Sequence, residues 1–239
     1  MTISNESRGR FKNAFVPVAL AMGRAGLTPD ALTLIGFGIT VVGAVLLAMQ
    51  LWLVGGIVVF VGGVFDMFDG TLARATGKVS KVGAFMDSVF DKLGELVVYL
   101  GILIGVQVSF LSLPIGDPSH GLPFLSAAAM ASAFMVSYTR AKSEGLGFTS
   151  GSGMAAVGIM PREVRLIVLS LGLVLTGLAG GTSARVTPLG TYSEGAPFLA
   201  LALGIIAIGG LLTTIQRILH VRSQARQQAS TTNPSETNT

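Results

Sequence analysis

Apolar residues run along this chain in six long stretches, near 31–51, 53–75, 83–109, 122–145, 162–181 and 195–220, separated by polar segments. Each is close to the ~20 residues that an α-helix needs to cross a bilayer core, so the pattern predicts six transmembrane helices. Ahead of them, Phe11 to Ala25 is short and mildly amphipathic, which predicts a helix lying in the membrane interface. Ala19-Leu20-Ala21 after a basic start also has the look of a signal-peptide cleavage site, but the apolar run before it is short and Arg24 follows closely. Leu27-Thr28-Pro29-Asp30 reads as a turn and a helix start. Residues 227–239 are mostly Ser, Thr, Asn and Gln and are expected to be a disordered tail. The expected fold class is all-α: a polytopic membrane protein of six transmembrane helices with an N-terminal interfacial amphipathic helix, its membrane domain covering 1–226.

Composition strengthens this. Of 239 residues, 51% are hydrophobic and 12% charged, and the mean hydropathy is +0.71. A soluble domain carries roughly 25% charged residues, so lipid is the solvent for most of this chain. The formal charge of +4 would suggest nucleic acid in a soluble protein; here its distribution makes it topological. Arg8, Arg10, Lys12 and Arg24, then Arg74, Lys78 and Lys81, then Arg140, Lys142, Arg162 and Arg165, then Arg217, Arg222 and Arg226 all fall on one side of a six-span arrangement. Arg185 stands alone in the loops of the other side. The excess of Lys and Arg marks the cytoplasmic face, so the sequence predicts a multi-pass protein of the cell membrane with both termini inside. The absence of cysteine excludes thiolate metal sites and thiol catalysis.

The impurities in the second and third stretches carry the chemistry. Asp66 and Asp69 are three residues apart, and Asp87 and Asp91 four, so each pair shares a helix face. A charge at the centre of a membrane helix costs at least about 2.5–3.5 kcal/mol, less near an end. Arg74 and Lys92 are the only nearby cations. One such Asp alone reads as a cap or a snorkelling surface group; four at these spacings call for divalent metal, and ligands that are all oxygen select Mg²⁺ or Mn²⁺. Two such ions bridged by carboxylates suit phosphoryl chemistry. Gly70 and Gly83 leave room for a phosphate to approach the backbone, and Arg74 lies two turns after Asp66 where it can reach one.

The stretch Asp66-x2-Asp69-Gly70-x2-Ala73-Arg74-x8-Gly83-x3-Asp87-x3-Asp91 resembles the signature of the CDP-alcohol phosphotransferase family at every fixed position. The resemblance implies transfer of the phosphatidyl group of a CDP-activated lipid, CDP-diacylglycerol, to an alcohol with release of CMP. It implies that Asp66, Asp69, Asp87 and Asp91 hold two Mg²⁺ or Mn²⁺ ions, with Asp91 also the general base. Gly70, Ala73, Arg74 and Ser80 would hold the cytidine diphosphate, as would Asp30, Ala31, Leu32 and Thr33 at the start of the first span. It also implies a homodimer, and no nucleic-acid partner.

Cations near the fourth and fifth stretches bear on the acceptor. Ser137-Tyr138-x-Arg140-x-Lys142 ends the fourth, and Arg162 and Arg165 open the fifth on one face. Positive-inside topology explains such a cluster; so does a phosphorylated acceptor. Gly83-Ala84-Phe85-Met86-Asp87-Ser88 and Ser137-Tyr138-Thr139-Arg140-Ala141-Lys142 resemble the phosphatidylinositol phosphate synthase branch, which implies inositol 1-phosphate as acceptor, its phosphate held by Arg140, Lys142, Arg162 and Arg165. The sequence departs from that branch in the Gly-rich loop 145–160 and in reading Glu163-Val164 between the arginines where the branch has a Pro-Glu pair. Glycerol 3-phosphate is the alternative acceptor. The alternative from another class is a proton or cation transporter using intramembrane carboxylates, which predicts acids near the bilayer midplane and an internal repeat. His120 and His220 are isolated, and Trp52 suits an aromatic belt.

Overall fold

A computed structural model describes residues 5–110, 121–148, 157–182, 185–187 and 190–232. The helices are α1 (Asn5–Arg24), α2 (Pro29–Ala48), α3 (Trp52–Phe65), α4 (Met67–Ala75), α5 (Lys81–Phe110), α6 (Leu122–Gly145), α7 (Arg162–Leu178) and α8 (Ala196–Thr232). One short antiparallel ribbon, β1 (Arg185–Thr187) with β2 (Gly190–Tyr192), interrupts the helical pattern between α7 and α8, pairing Val186 with Thr191.

Local chemistry sets the helix ends that matter for the site. Gly26, at φ +91°, closes α1: the Leu27 N–H reaches back to the Met22 carbonyl at 3.2 Å, a left-handed cap that glycine adopts without strain. Two residues later Thr28 caps α2, its hydroxyl accepting from the Ala31 N–H at 3.2 Å, with Pro29 at the first helical position. The second apolar stretch is not one unbroken helix. It divides at Asp66, which keeps helical angles (φ −58°, ψ −23°) and bonds its N–H to the Gly62 carbonyl at 3.1 Å. The interruption thus falls on the first of the four acids.

Packing follows the small residues. α2 lies against α3 and α5, α3 against α7, and α8 against α6 and α7. A side chain at Gly43 would sit 2.8 Å from Val59 Cγ2, and one at Gly101 would overlap the Ala44 carbonyl. Close backbone approach at small residues is how helices associate in lipid, where apolar burial against a partner gains little over lipid contact. The main core joins Leu47, Val59, Tyr99, Ile102, Leu173 and Leu203. A second, smaller core of Ala19, Leu32, Phe68 and Leu72 ties α1 to α2 and α4, with Phe15 edge-on to Phe68 at 5.3 Å.

Among the described residues, four segments are long and apolar enough to cross a membrane: Pro29–Ala48, Trp52–Ala75, Leu122–Gly145 and Ala196–Gln228. The protein is a helical, membrane-embedded chain, and side chains such as Val42, Phe60, Leu201 and Ile208 face outward into what must be lipid. α5 and α7, expected as the third and fifth spans, differ in kind. α5 carries Asp87, Asp91, Lys92 and Glu95 in its first half, and α7 has 17 residues. α8 runs to Thr232, so the first six residues of the expected tail extend the helix; 233–239, the heart of the Gly-rich loop at 149–156, and His120 lie outside the described residues.

Candidate active site

The site forms where the α3–α4 junction, the first turns of α5 and the start of α7 meet beside the start of α2. Asp66, Asp69 and Asp87 each present a carboxylate oxygen within 4.8 Å of the other two. Two negative charges at about that separation repel by roughly 3 kcal/mol at an effective dielectric of about 20. Three such pairs within a membrane protein need a cation. The donor set fits a hard divalent ion: oxygen only, convergent, and oriented from behind. Asp69 shows the orientation clearly. Thr33 Oγ1 donates to its Oδ2 at 2.5 Å, and the Gly70 N–H donates to its Oδ1. Outer hydrogen bonds of this kind fix ligand carboxylates at metal sites.

Asp91 lies beside that trio, joined to Asp66 through an arginine. Its Oδ1 is 2.7 Å from Arg162 Nη1, and the same nitrogen is 2.8 Å from Asp66 Oδ2. One guanidinium from α7 therefore bridges acids of α3–α4 and α5. Behind this bridge lies a cavity of about 60 Å³ whose walls include Phe37, Thr40, Phe90, Glu95, Tyr99 and Leu166.

The residues expected at the nucleotide divide into two groups. Asp30 and Ser80 come together at Gly83, where a Cβ would lie 3.0 Å from Ser80 Oγ and 3.7 Å from Asp30 Oδ1. Ser80 also caps α5 by accepting from the Gly83 N–H at 2.9 Å. Arg74 folds back over Gly70, its Nη1 3.2 Å from where a Cβ would be. Ala31 and Ala73 are half-buried beside them. Leu32 differs: its side chain is fully buried in the small core with Phe68 and Leu72, because it lies on the face of α2 turned toward α4. Thr33, expected at the nucleotide, spends its hydroxyl on Asp69.

The four cations expected at the acceptor are also not equivalent. Arg162 joins the acids. Arg165 is buried and paired with Glu95, Nε to Oε1 at 2.7 Å and Nη2 to Oε2 at 3.0 Å. Arg140 pairs with Glu144 at 2.9 Å on the exposed end of α6, and Lys142 is exposed there too. Sequence reasoning passed over Glu95, although it follows Asp91 by one turn on the same face. It also counted Arg217 as a topology signal. Arg217 is 3% exposed, and its guanidinium donates to the carbonyls of Val157 (3.0 Å) and Val136. Its position inside an apolar run was the available sign.

Comparison with known proteins identifies the family. The sequence pattern of the CDP-alcohol phosphatidyltransferase family matches residues 26–225, and the chain belongs to that family. It is a transferase of phospholipid biosynthesis. Among its relatives, the archaetidylinositol phosphate synthase of Pyrococcus horikoshii is 30% identical over 217 residues, covering 91% of this chain and 95% of that protein. Crystal structures of Mycobacterium tuberculosis phosphatidylinositol phosphate synthase share the fold. The complex with manganese and citrate superposes with TM-score 0.68 at 26% identity, covering 87% of this chain and 88% of that one. The complex with CDP-DAG gives TM-score 0.67 at 27% identity, covering 87% and 92%.

Proposed function

We propose that this enzyme transfers the phosphatidyl group of CDP-diacylglycerol to a hydroxyl of inositol 1-phosphate, releasing CMP and leaving phosphatidylinositol phosphate. The observation that carries the proposal is the meeting of three convergent carboxylates with a single arginine, Arg162, supplied from the opposite wall. Asp66, Asp69 and Asp87, with Asp91 beside them, are the residues to hold Mg²⁺ or Mn²⁺. Bound there, divalent ions supply positive charge that offsets the diphosphate and polarises the phosphorus. The family relatives crystallised with manganese and with CDP-DAG support both assignments.

The chain's own groups supply the rest. Arg74, folded over Gly70, and the Asp30–Ser80 pair at Gly83 flank the acids where a cytidine diphosphate would lie. Ala31, Ala73 and the backbone of Leu32 line the same end, and Thr33 contributes by holding Asp69 in orientation. Asp91 takes the proton of the acceptor hydroxyl. The oxygen then forms its bond to the lipid-side phosphorus as the bond to CMP breaks, and the electron pair leaves on the CMP phosphate. Arg162 is the cation best placed for the acceptor's phosphate, with Arg140 and Lys142 at the rim of the approach.

The same reading makes α5 and α7 the third and fifth of six spans, with α1 lying at the interface. The Lys and Arg distribution supports a cytoplasmic site and cytoplasmic termini in the cell membrane. Residues 1–226 form the catalytic unit. Family resemblance supports a homodimer. Glycerol 3-phosphate is the second acceptor to weigh, since it too presents a phosphate to these cations. Membership of the family removes the transporter reading.

The test is CMP release by the protein in membranes, given CDP-diacylglycerol, Mn²⁺ and one acceptor at a time. Turnover is expected with inositol 1-phosphate and not with glycerol 3-phosphate, inositol or serine. Turnover with glycerol 3-phosphate in place of inositol 1-phosphate overturns the acceptor assignment.

A further inference from the structure

A second cavity, which the proposed reaction does not use, opens between the end of α1, the start of α2 and the end of α4. Its volume of about 240 Å³ exceeds that of the cavity behind Arg162. Its lining is apolar at Leu20, Leu27 and Leu72 and basic at Arg24 and Lys78, and no acid contributes among the described residues. α1 and α4 touch beside it: a Cβ on Gly23 would lie 2.7 Å from Leu72 Cδ1. That contact, with the small core of Ala19, Leu32, Phe68 and Leu72, fixes the walls.

The fold does not use either cation. Arg24 and Lys78 are exposed, and neither has an acidic partner among the described ion pairs. Basic side chains at a helix end commonly serve its last carbonyls. Here the backbone does that at both ends. The Leu27 N–H reaches the Met22 carbonyl at 3.2 Å beyond α1, and the Lys78 N–H reaches the Ala73 carbonyl at 2.9 Å beyond α4. Each turn closes through a glycine of positive φ, Gly26 and Gly77. Asp30 follows the lining residue Pro29 but meets Ser80 at Gly83 instead, its Oδ1 3.7 Å from where a Cβ on Gly83 would be. Two positive charges thus share a partly apolar pocket without an anion of the chain's own.

We propose that this cavity binds the phosphate of an anionic phospholipid between Arg24 and Lys78. Basic pockets between helices on the cytoplasmic side of a membrane take such headgroups. A water needs roughly 10–15 Å³ of such space, so the cavity has room for a phosphodiester group and its first carbons, which Leu20, Leu27 and Leu72 meet. The bound phosphate links α1 to Lys78, which stands between Arg74 and Ser80 in sequence, and Pro29 of the same cavity adjoins Asp30. The lipid therefore steadies both segments that flank the nucleotide and lowers the KM for CDP-diacylglycerol. The inference rests on the reading that α1 lies at the membrane interface, and it is independent of the acceptor.

The experiment is native mass spectrometry of the full-length protein titrated with phosphatidylglycerol or phosphatidylcholine. The wild type is expected to hold one phosphatidylglycerol about thirtyfold more tightly than phosphatidylcholine, as two basic side chains at a membrane surface would give. Arg24→Ala with Lys78→Ala should lose most of that preference; both side chains are exposed, so the variant keeps its fold. Arg222→Ala with Arg226→Ala, which removes the same charge from an exposed part of α8, should retain it. Equal loss in the two variants, or no preference in the wild type, overturns the site. Displacement of the lipid by millimolar inorganic phosphate shows a free-anion site and overturns the lipid as its source. The second measurement is CMP release in nanodiscs. Adding phosphatidylglycerol to phosphatidylcholine should lower the wild-type KM for CDP-diacylglycerol about fivefold. The Arg24 and Lys78 variant should lose that response and match the wild type in phosphatidylcholine alone. No response in the wild type overturns the coupling, and a higher KM for the variant in phosphatidylcholine alone gives the pocket to the nucleotide and overturns the proposal. Should no acceptor support turnover, the functional reading fails on its own, and lipid binding is still measured directly.

Discussion

The wall of the site built by α2 to α5 and the wall built by α6 to α8 handle charge in opposite ways. On the first, Asp66, Asp69 and Asp87 crowd together without a basic side chain paired to Asp69 or Asp87 among the described hydrogen bonds and ion pairs. On the second, each of three arginines is already held: Arg140 by Glu144, Arg165 by Glu95, Arg217 by backbone carbonyls. Arg162 is the exception, since it reaches across to the acids of the other wall. The contrast separates charge that awaits a ligand from charge that is already paired. Asp69 and Asp87, which have no basic partner among the described ion pairs, mark where metal and diphosphate belong. Arg140 and Arg165 already have acidic partners, although their residue type and spacing suggest a phosphate.

The largest effect should come from the acidic wall. Asp87→Asn removes one of three convergent ligands and is expected to abolish turnover together with Mn²⁺ binding. Asp91→Asn should also abolish turnover, since a positioned base contributes about 10²–10⁴-fold. It should do so with much of the Mn²⁺ binding intact, because Asp91 lies outside the trio. Measuring CMP release and Mn²⁺ binding on both variants separates the two roles. Loss of metal in Asp91→Asn equal to that in Asp87→Asn would place Asp91 among the principal ligands instead.

What the sequence disclosed and what it hid divide along the same line. Charge inside an apolar run is conspicuous, so all four aspartates and their shared faces could be read from spacing alone. The helix starts near 31, 53, 83, 122, 162 and 195 agree with Pro29, Trp52, Lys81, Leu122, Arg162 and Ala196 to within two residues. Partners remote in sequence were not legible. Glu95 and Arg165 are 70 residues apart, and no local pattern says that one arginine of α7 will turn to Glu95 and the other to Asp66. The burial of the Leu32 side chain was hidden for a related reason: α2 is apolar nearly all round, so periodicity could not say which face meets α4. The break at Asp66 left no sequence sign, because neither Gly nor Pro stands there.

Arg162→Ala sharpens the comparison at the crossing point. Charge-assisted hydrogen bonds contribute about 1.5–3 kcal/mol, so losing the one to the acceptor's phosphate should raise the acceptor KM about ten- to a hundredfold. The KM for CDP-diacylglycerol should hold. Because Arg162 competes with cations for Asp66 and Asp91, Mn²⁺ should bind no more weakly to this variant than to the wild type. Weaker Mn²⁺ binding would mean that Arg162 orders the acids for the metal, and the division between the two walls would lose its clearest case.

The smallest effect belongs to Arg140. Its bond to Glu144 joins residues four apart on an exposed helix end, with side chains 51% and 40% exposed. Such pairs stabilise a helix by about 0.3–0.5 kcal/mol, within the scatter of most melting experiments. Arg140→Ala should therefore leave thermal stability unchanged and move the acceptor KM by no more than about twofold, the residual coming from one fewer positive charge near the approach. That residual should fade as salt rises, because an exposed charge is screened over about 10 Å at 0.1 M ionic strength. A tenfold rise in acceptor KM that persists at high salt would show instead that Arg140 leaves Glu144 to grip the phosphate. The second wall would then supply a further ligand of the phosphate in spite of its prior pairing.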